Sequence, residues 1–206
     1  MTYRGGRTGA PGDSLLAWLL IVLVVGVPNV FYRKVFFTFQ IPQLTLFWIA
    51  ASAALLVGVY RVLVAGVLYR SPRPLALASV AFTVSLVGST LLSSQQWAAF
   101  SGLAARGAGA FSYLLGLGIL HTVYGLARRR SPEPLVWAMI TANLLVATYA
   151  LLQAFGLDPV DWAGSDAYVG NLVFSTLGNA NFSAGFVGLT LPVVAWVPFG
   201  SRRPVT

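Results

Sequence analysis

The sequence predicts an all-α fold, a polytopic bundle of about six transmembrane helices with its N-terminus in the cytoplasm. Three observations lead there. Of 206 residues, 57% are hydrophobic and only 9% charged, against about 25% charged in soluble domains, so a water-facing surface cannot be covered with charge. The apolar residues come in runs near the roughly 20 helical residues that a bilayer core about 30 Å thick requires. The basic residues sit in short clusters between those runs.

The first span is read at 14–31. It follows a polar, Gly-rich start that carries Arg4 and Arg7. No small-x-small cleavage site follows the run and further spans do, so it reads as an uncleaved signal-anchor. Five more spans are predicted at 44–69, 74–93, 108–127, 135–155 and 180–199, within a single membrane domain covering 1–206. Arg61 falls about 26 Å along the second span at 1.5 Å per residue. There it is expected to anchor at the interface by snorkelling, with a buried Arg serving a conduction path as the other reading.

Six spans with the N-terminus inside place Arg4, Arg7, Arg61, Arg70, Arg73, Arg128, Arg129, Arg130, Arg202 and Arg203 inside. Arg33, Lys34 and Arg106 fall outside, ten basic residues against three. This is the asymmetry of the positive-inside rule, and an odd number of spans would spoil it. Topology therefore accounts for the net charge of +8 better than a nucleic-acid partner does, and none is expected. Localisation follows as a multi-pass membrane protein.

Function classes narrow by elimination. There is no Cys and only one His, His121, so thiolate chemistry and Cys- or His-cluster metal sites are excluded. No cofactor or metal is expected. Phosphate-loop, H-E-x-x-H and G-x-S-x-G patterns are missing. The predicted spans hold no acidic residue, which argues against carboxylate-coupled transport. His121 is expected to bond between helices or to face the interface. Gly116, Gly118, Gly185 and Gly188 read as helix-packing positions. Asn181-Phe182-Ser183 matches a glycosylation sequon but sits at the mouth of a span and is taken as coincidence.

Two stretches stand out on the outer side. Residues 156–179 form the longest non-apolar segment and hold Asp158, Asp161 and Asp166, three of the five acidic residues; it is expected to be a solvated loop. Its end, Ser175-Thr176-Leu177-Gly178-Asn179-Ala180-Asn181, opens the sixth span. Ser, Thr and Asn cap helices well, and a helix N-terminus favours anions. One reading is an ordinary capped helix start. The other is a polar patch, Thr176, Gly178, Asn179 and Asn181 with Arg106, that meets the phosphorylated or glycosylated head of a lipid.

The run Gly178-Asn179-Ala180-Asn181-Phe182-Ser183-Ala184, with Gly156-Leu157-Asp158-Pro159 and Trp162 before it, resembles the Gly-Asn-Pro-Asn-Phe-x-Ala region of the bacterial O-antigen ligase and O-antigen polymerase superfamily. The specific part covers about residues 153–192, and the order of spans before it is also similar. The resemblance implies a glycosyltransferase-like ligase or polymerase of the cell envelope, placed in the bacterial inner membrane. It would move an undecaprenyl-diphosphate-linked glycan to an acceptor, as in lipopolysaccharide biosynthesis, without a metal. Membrane lipid and that glycan carrier are then the expected partners. This sequence departs from the family pattern in two places. Ala180 stands where the family has Pro, and Leu172 or Val173 stands where the family has an Arg facing the diphosphate. The family's later Arg and His have no counterpart before Thr206. The chain is therefore expected to be the N-terminal portion of a longer protein, inactive by itself. A non-enzymatic membrane protein, such as a transporter half or an assembly subunit, is the alternative.

Overall fold

The computed structural model describes residues 11–66, 71–103, 107, 109–162 and 173–200. Among them there are seven α-helices and no strand: α1 Asp13–Asn29, α2 Gln40–Ala65, α3 Arg73–Leu91, α4 Gln96–Ser101, α5 Ala110–Ala127, α6 Glu133–Ala154 and α7 Ala180–Gly200. Four of these, α2, α3, α5 and α6, are long and apolar enough to cross a membrane; α1 and the described apolar part of α7, Ala180–Ala195, are shorter. The chain is thus all-helical, with the composition of a helical membrane bundle.

Local chemistry sets the helix limits. Pro74 and Pro134 lie in the first turns of α3 and α6, where a missing N–H costs nothing. Gly66 ends α2 at φ 59°, a left-handed cap that glycine adopts readily. The second helix starts at Gln40 and stops at Ala65, four residues earlier at each end than the sequence suggests, because Gln40 and Pro42 are tolerated in a first turn. The connection between the third and fourth predicted spans holds a short helix, α4, that periodicity alone does not reveal.

The six longer helices run alternately up and down. α1 packs on α2 and α6, α6 on α7, α2 on α5, and α5 on α3, so α1 is central and α3 and α7 are peripheral. The end where α1 begins is called here the near end, and the opposite one the far end. Leu16, Leu20 and Leu23 of α1 pack against Ala50, Ala51 and Ala54 of α2, with Leu115 and Leu126 of α5. Alanines let two backbones approach closely, the device that helices use where no hydrophobic gain separates lipid from protein. Outward-facing side chains remain apolar, as Leu77, Val80 and Val84 of α3 are 61–70% exposed. A water-facing helix would expose charge at such positions.

Polar groups join the helices at a few points. Asn143 of α6 donates from Nδ2 to Thr190 Oγ1 of α7, and both are buried. His121 of α5 lies between two serines, with Nδ1 2.7 Å from Ser71 Oγ and Nε2 2.9 Å from Ser79 Oγ. Ser79 Oγ already donates to the Leu75 carbonyl, so it accepts from His121 Nε2–H, and Nδ1 accepts from Ser71. His121 thus bonds between helices, as expected.

Three expectations need correction. Arg61 does not snorkel out to the surface as an anchor would: it is 4% exposed and ion-paired with Asp13, itself 3% exposed. Of the four glycines read as packing positions, Gly118 is one. A Cβ there would stand 2.7 Å from Leu55, whereas Gly116, Gly185 and Gly188 meet nothing within 4 Å among the described residues. The third concerns Asp158, described below with its partners. The acids Asp13 and Glu133 fall outside the predicted spans, at the first positions of α1 and α6, where a carboxylate favours a helix N-terminus.

Candidate functional site

The far end gathers the residues that carry the sequence motif. Its foundation is a face of α6 whose last turns bear Tyr149 and Gln153, one helical turn apart. Past the end of α6 the chain turns at Gly156, φ 69°, and brings Asp158 back over that face. Oδ1 of Asp158 accepts from Tyr149 Oη (2.8 Å) and the Val160 amide (2.9 Å). Oδ2 accepts from Gln153 Nε2 (2.9 Å) and Trp162 Nε1 (2.8 Å). Asp158 therefore does not sit in a freely solvated loop. Burial pushes its carboxyl upward, but the Val160 amide and the Gln153, Trp162 and Tyr149 side chains outweigh this and hold it below its ordinary value. A carboxylate with four donors on two oxygens is a structural anion and a poor general base.

Gln153 carries the order onward. Its Oε1 accepts from the amides of Phe174 (3.0 Å) and Ser175 (2.7 Å), while its Nε2 holds Asp158. Ser175 adopts φ 55°, a left-handed conformation that is uncommon for a non-glycine residue. It is held there by its amide bond and by Ser175 Oγ donating to the Val146 carbonyl at 2.7 Å. Gln43 of α2 donates to the Thr176 carbonyl at 3.0 Å. Asn179 then caps α7, its Oδ1 accepting from the Asn181 amide at 2.8 Å. Ser183 Oγ reaches back to the Phe174 and Asn179 carbonyls.

Aromatic rings close the knot from the side. Phe31 and Phe39 from the α1–α2 connection pack with Trp162 and Phe174; Trp162 and Phe174 meet edge to face at 5.0 Å, and Phe39 and Trp162 stack at 5.5 Å. Gly178 fits against this cluster. It sits at φ 72°, and a Cβ would lie 2.3 Å from Phe39 Cδ2. Gly178→Ala combines left-handed strain of about 1–2 kcal/mol with overpacking of about 1–3 kcal/mol, so a loss of about 2–5 kcal/mol is expected. Gly185→Ala, in open space inside α7, should be neutral or slightly stabilising. Thermal melts of the two variants in one detergent test this, and equal melts would refute the packing role of Gly178.

The motif residues thus have mixed roles. Asn179 is the cap and Gly178 the tight turn, which is the ordinary-helix-start reading. The Thr176 hydroxyl is buried, and its Oγ1 has no partner among the described residues. The Asn181 side chain is exposed. Arg106 lies outside the described residues, as do Asp166 and Leu172. Sequence reasoning missed Tyr149, Gln153, Gln43 and Phe39. The available signal was Tyr149 and Gln153 at i, i+4 near the end of a largely apolar helix, with Asp158 five residues further on.

Beside the capped start of α7 lies a cleft of about 250 Å³ lined by Val27, Gln40, Gln43, Leu44, Phe47, Gly107, Leu177 and Phe182. Its walls are apolar and two side-chain amides stand among them. That volume is below the roughly 300–1,000 Å³ of pockets that enclose drug-sized ligands, so it suits a segment of a chain. Gly107 is held at its edge by a relay in which Trp48 Nε1 donates to Ser112 Oγ (2.9 Å) and Ser112 Oγ donates to the Gly107 carbonyl (2.8 Å). In comparisons with family models, curated proteins and solved structures, nothing matches this chain.

Proposed function

We propose that this protein is a six-span protein of the bacterial inner membrane, with a cytoplasmic N-terminus, that handles an undecaprenyl-diphosphate-linked glycan at the far end of the bundle. The observation that carries the reading is the junction of an apolar cleft with the Asn179-capped start of α7, tied together by the Gln43 bond to the Thr176 carbonyl. The cleft offers an apolar wall to the first units of a prenyl chain. The helix N-terminus offers partial positive charge to an attached phosphate. The resemblance of residues 153–192 to the O-antigen ligase and polymerase superfamily supports the same reading.

The chemistry of these residues is binding and positioning. Transfer of a glycan from a lipid diphosphate needs cationic stabilisation of the leaving group and a group that positions or deprotonates the acceptor. Asp158 is occupied by four donors, while Thr176, Asn179 and Asn181 are uncharged. We therefore expect the 206 residues to bind the lipid-linked glycan without turning it over.

Binding of undecaprenyl diphosphate to the purified chain, followed by native mass spectrometry, tests the proposal. Leu177→Trp, which fills the cleft, and Asn179→Ala, which removes the cap, should each weaken binding about tenfold, a loss of roughly 1.4 kcal/mol. Full-strength binding in both variants would sink the proposal. Sidedness is tested in this cysteine-free chain with Ser94→Cys at the far end and Ser131→Cys at the near end. An impermeant thiol reagent applied to intact spheroplasts should label the first and spare the second; labelling of both would overturn the six-span orientation.

A further inference from the structure

The near end of the bundle holds a polar cluster that the far-end site does not use. Asp13, at the start of α1, is engaged by two arginines. Arg61 of α2 pairs through Nη2 with Oδ1, and Arg130, from the α5–α6 connection, places Nε 3.2 Å from Oδ2. Among these three side chains, two guanidiniums on one carboxylate leave one surplus positive charge. Both oxygens of the carboxylate face a cation, so it presents little negative charge to anything beyond them.

Arg61 is the telling member. It is 4% exposed, yet its Nε–H finds no acceptor among the described residues. A guanidinium carries five N–H donors in a rigid fork and cannot lose its charge. A buried donor left without a partner is costly, and more so when charged. Apolar packing does not supply what is missing; an anion with several acceptor oxygens does. Arg130 shows how such an anion would reach the cluster, because it is 39% exposed, and Arg128 beside it is exposed as well. The cluster also lies where apolar helices end, the depth at which phosphate headgroups lie in a bilayer. Basic pockets between membrane helices are suited to acidic lipid heads.

We propose that Arg61 and Arg130, bridged by Asp13, form a binding site for a phosphate-type anion, filled by the phosphodiester headgroup of an anionic phospholipid in the leaflet at the near end. Arg130 makes the first contact at the surface, and the phosphate oxygens then accept from the inner guanidinium. The occupied site ties the starts of α1 and α6 to the end of α2, so lipid binding and bundle stability rise together.

The test uses the full chain in a neutral detergent and reads its melting temperature during titration with phosphatidylglycerol, phosphatidylcholine or inorganic phosphate. Phosphatidylglycerol should raise the melting temperature well above phosphatidylcholine, in a salt-dependent way. Arg130→Gln should shift the phosphatidylglycerol midpoint about tenfold, and Arg130→Lys should keep part of the response. Each variant is read against its own phosphatidylcholine curve, so a change in baseline stability does not enter. Arg33→Gln, at the far end, should behave as wild type. Equal responses to the two lipids, or an Arg130→Gln response equal to wild type, would overturn the site. A response to inorganic phosphate that phosphatidylglycerol does not increase would overturn the lipid as its source.

Discussion

Replacing Gln153 by Leu should unfold the far end of the bundle under conditions in which the wild-type chain is stable. Gln153 is 5% exposed and serves three partners at once: the amides of Phe174 and Ser175 through Oε1, and Asp158 through Nε2. Leu fills a similar volume without any of these bonds. Two buried amides lose their acceptor at about 1–3 kcal/mol each, and Asp158 loses one of four donors. An overall loss of about 3–6 kcal/mol is expected, a large part of the stability of a marginally stable domain. Trp162 lies in the knot, so its fluorescence during denaturation reports the change. A wild-type midpoint in Gln153→Leu would show that the turn before α7 holds without this anchor.

The same knot has a pH signature. The Asp158 carboxyl is held below its ordinary value in the folded chain. Its contribution is therefore present above the unfolded value near 3.9 and is lost as pH falls through the lower folded value. Stability of the knot should be flat between about pH 5 and 8 in this respect and fall only under stronger acid. Asp158→Asn should remove that acid step, since an amide carries no such titration.

The second large effect is expected at the near end. Asp13→Asn removes the charge that faces Arg61 and Arg130. Breaking a buried pair by deleting one partner costs about 3–5 kcal/mol, because the other charge stays buried without compensation. Arg61→Met alone should be damaging for the complementary reason. The double variant Asp13→Leu with Arg61→Met removes both charges, and apolar replacements of a buried pair are often tolerated. It should therefore melt above either single variant. A double variant that loses the sum of the single losses would mean that the two residues act independently.

Some features of this chain could be read directly from its residues. Helical class, membrane composition and the approximate place of each long helix follow from runs of apolar residues, because a helix satisfies its backbone by itself and apolar side chains need only a non-aqueous surround. The capped start of α7 was legible for a similar reason: Asn179 bonds to an amide two residues away, and such contacts depend on local sequence alone. Likewise His121, a polar group in a largely apolar helix, had few options besides another helix.

Tertiary structure decided the rest. Arg61 and Asp13 are 48 positions apart, and no periodicity relates them; only the antiparallel packing of α1 on α2 brings the charges together. Distance along the chain also hid the link from Gln153 to Ser175, and that from Gly178 to Phe39, which turns a flexible residue into an obligatory one. The cleft draws its wall from α1, α2, the segment before α5 and α7, so no single stretch foreshadows it. A sequence states which residues must avoid water, and that determines helices and their composition. Which polar groups then find one another depends on how the helices are arranged in space, since a buried donor or charge is stabilised only by the partner that packing places beside it.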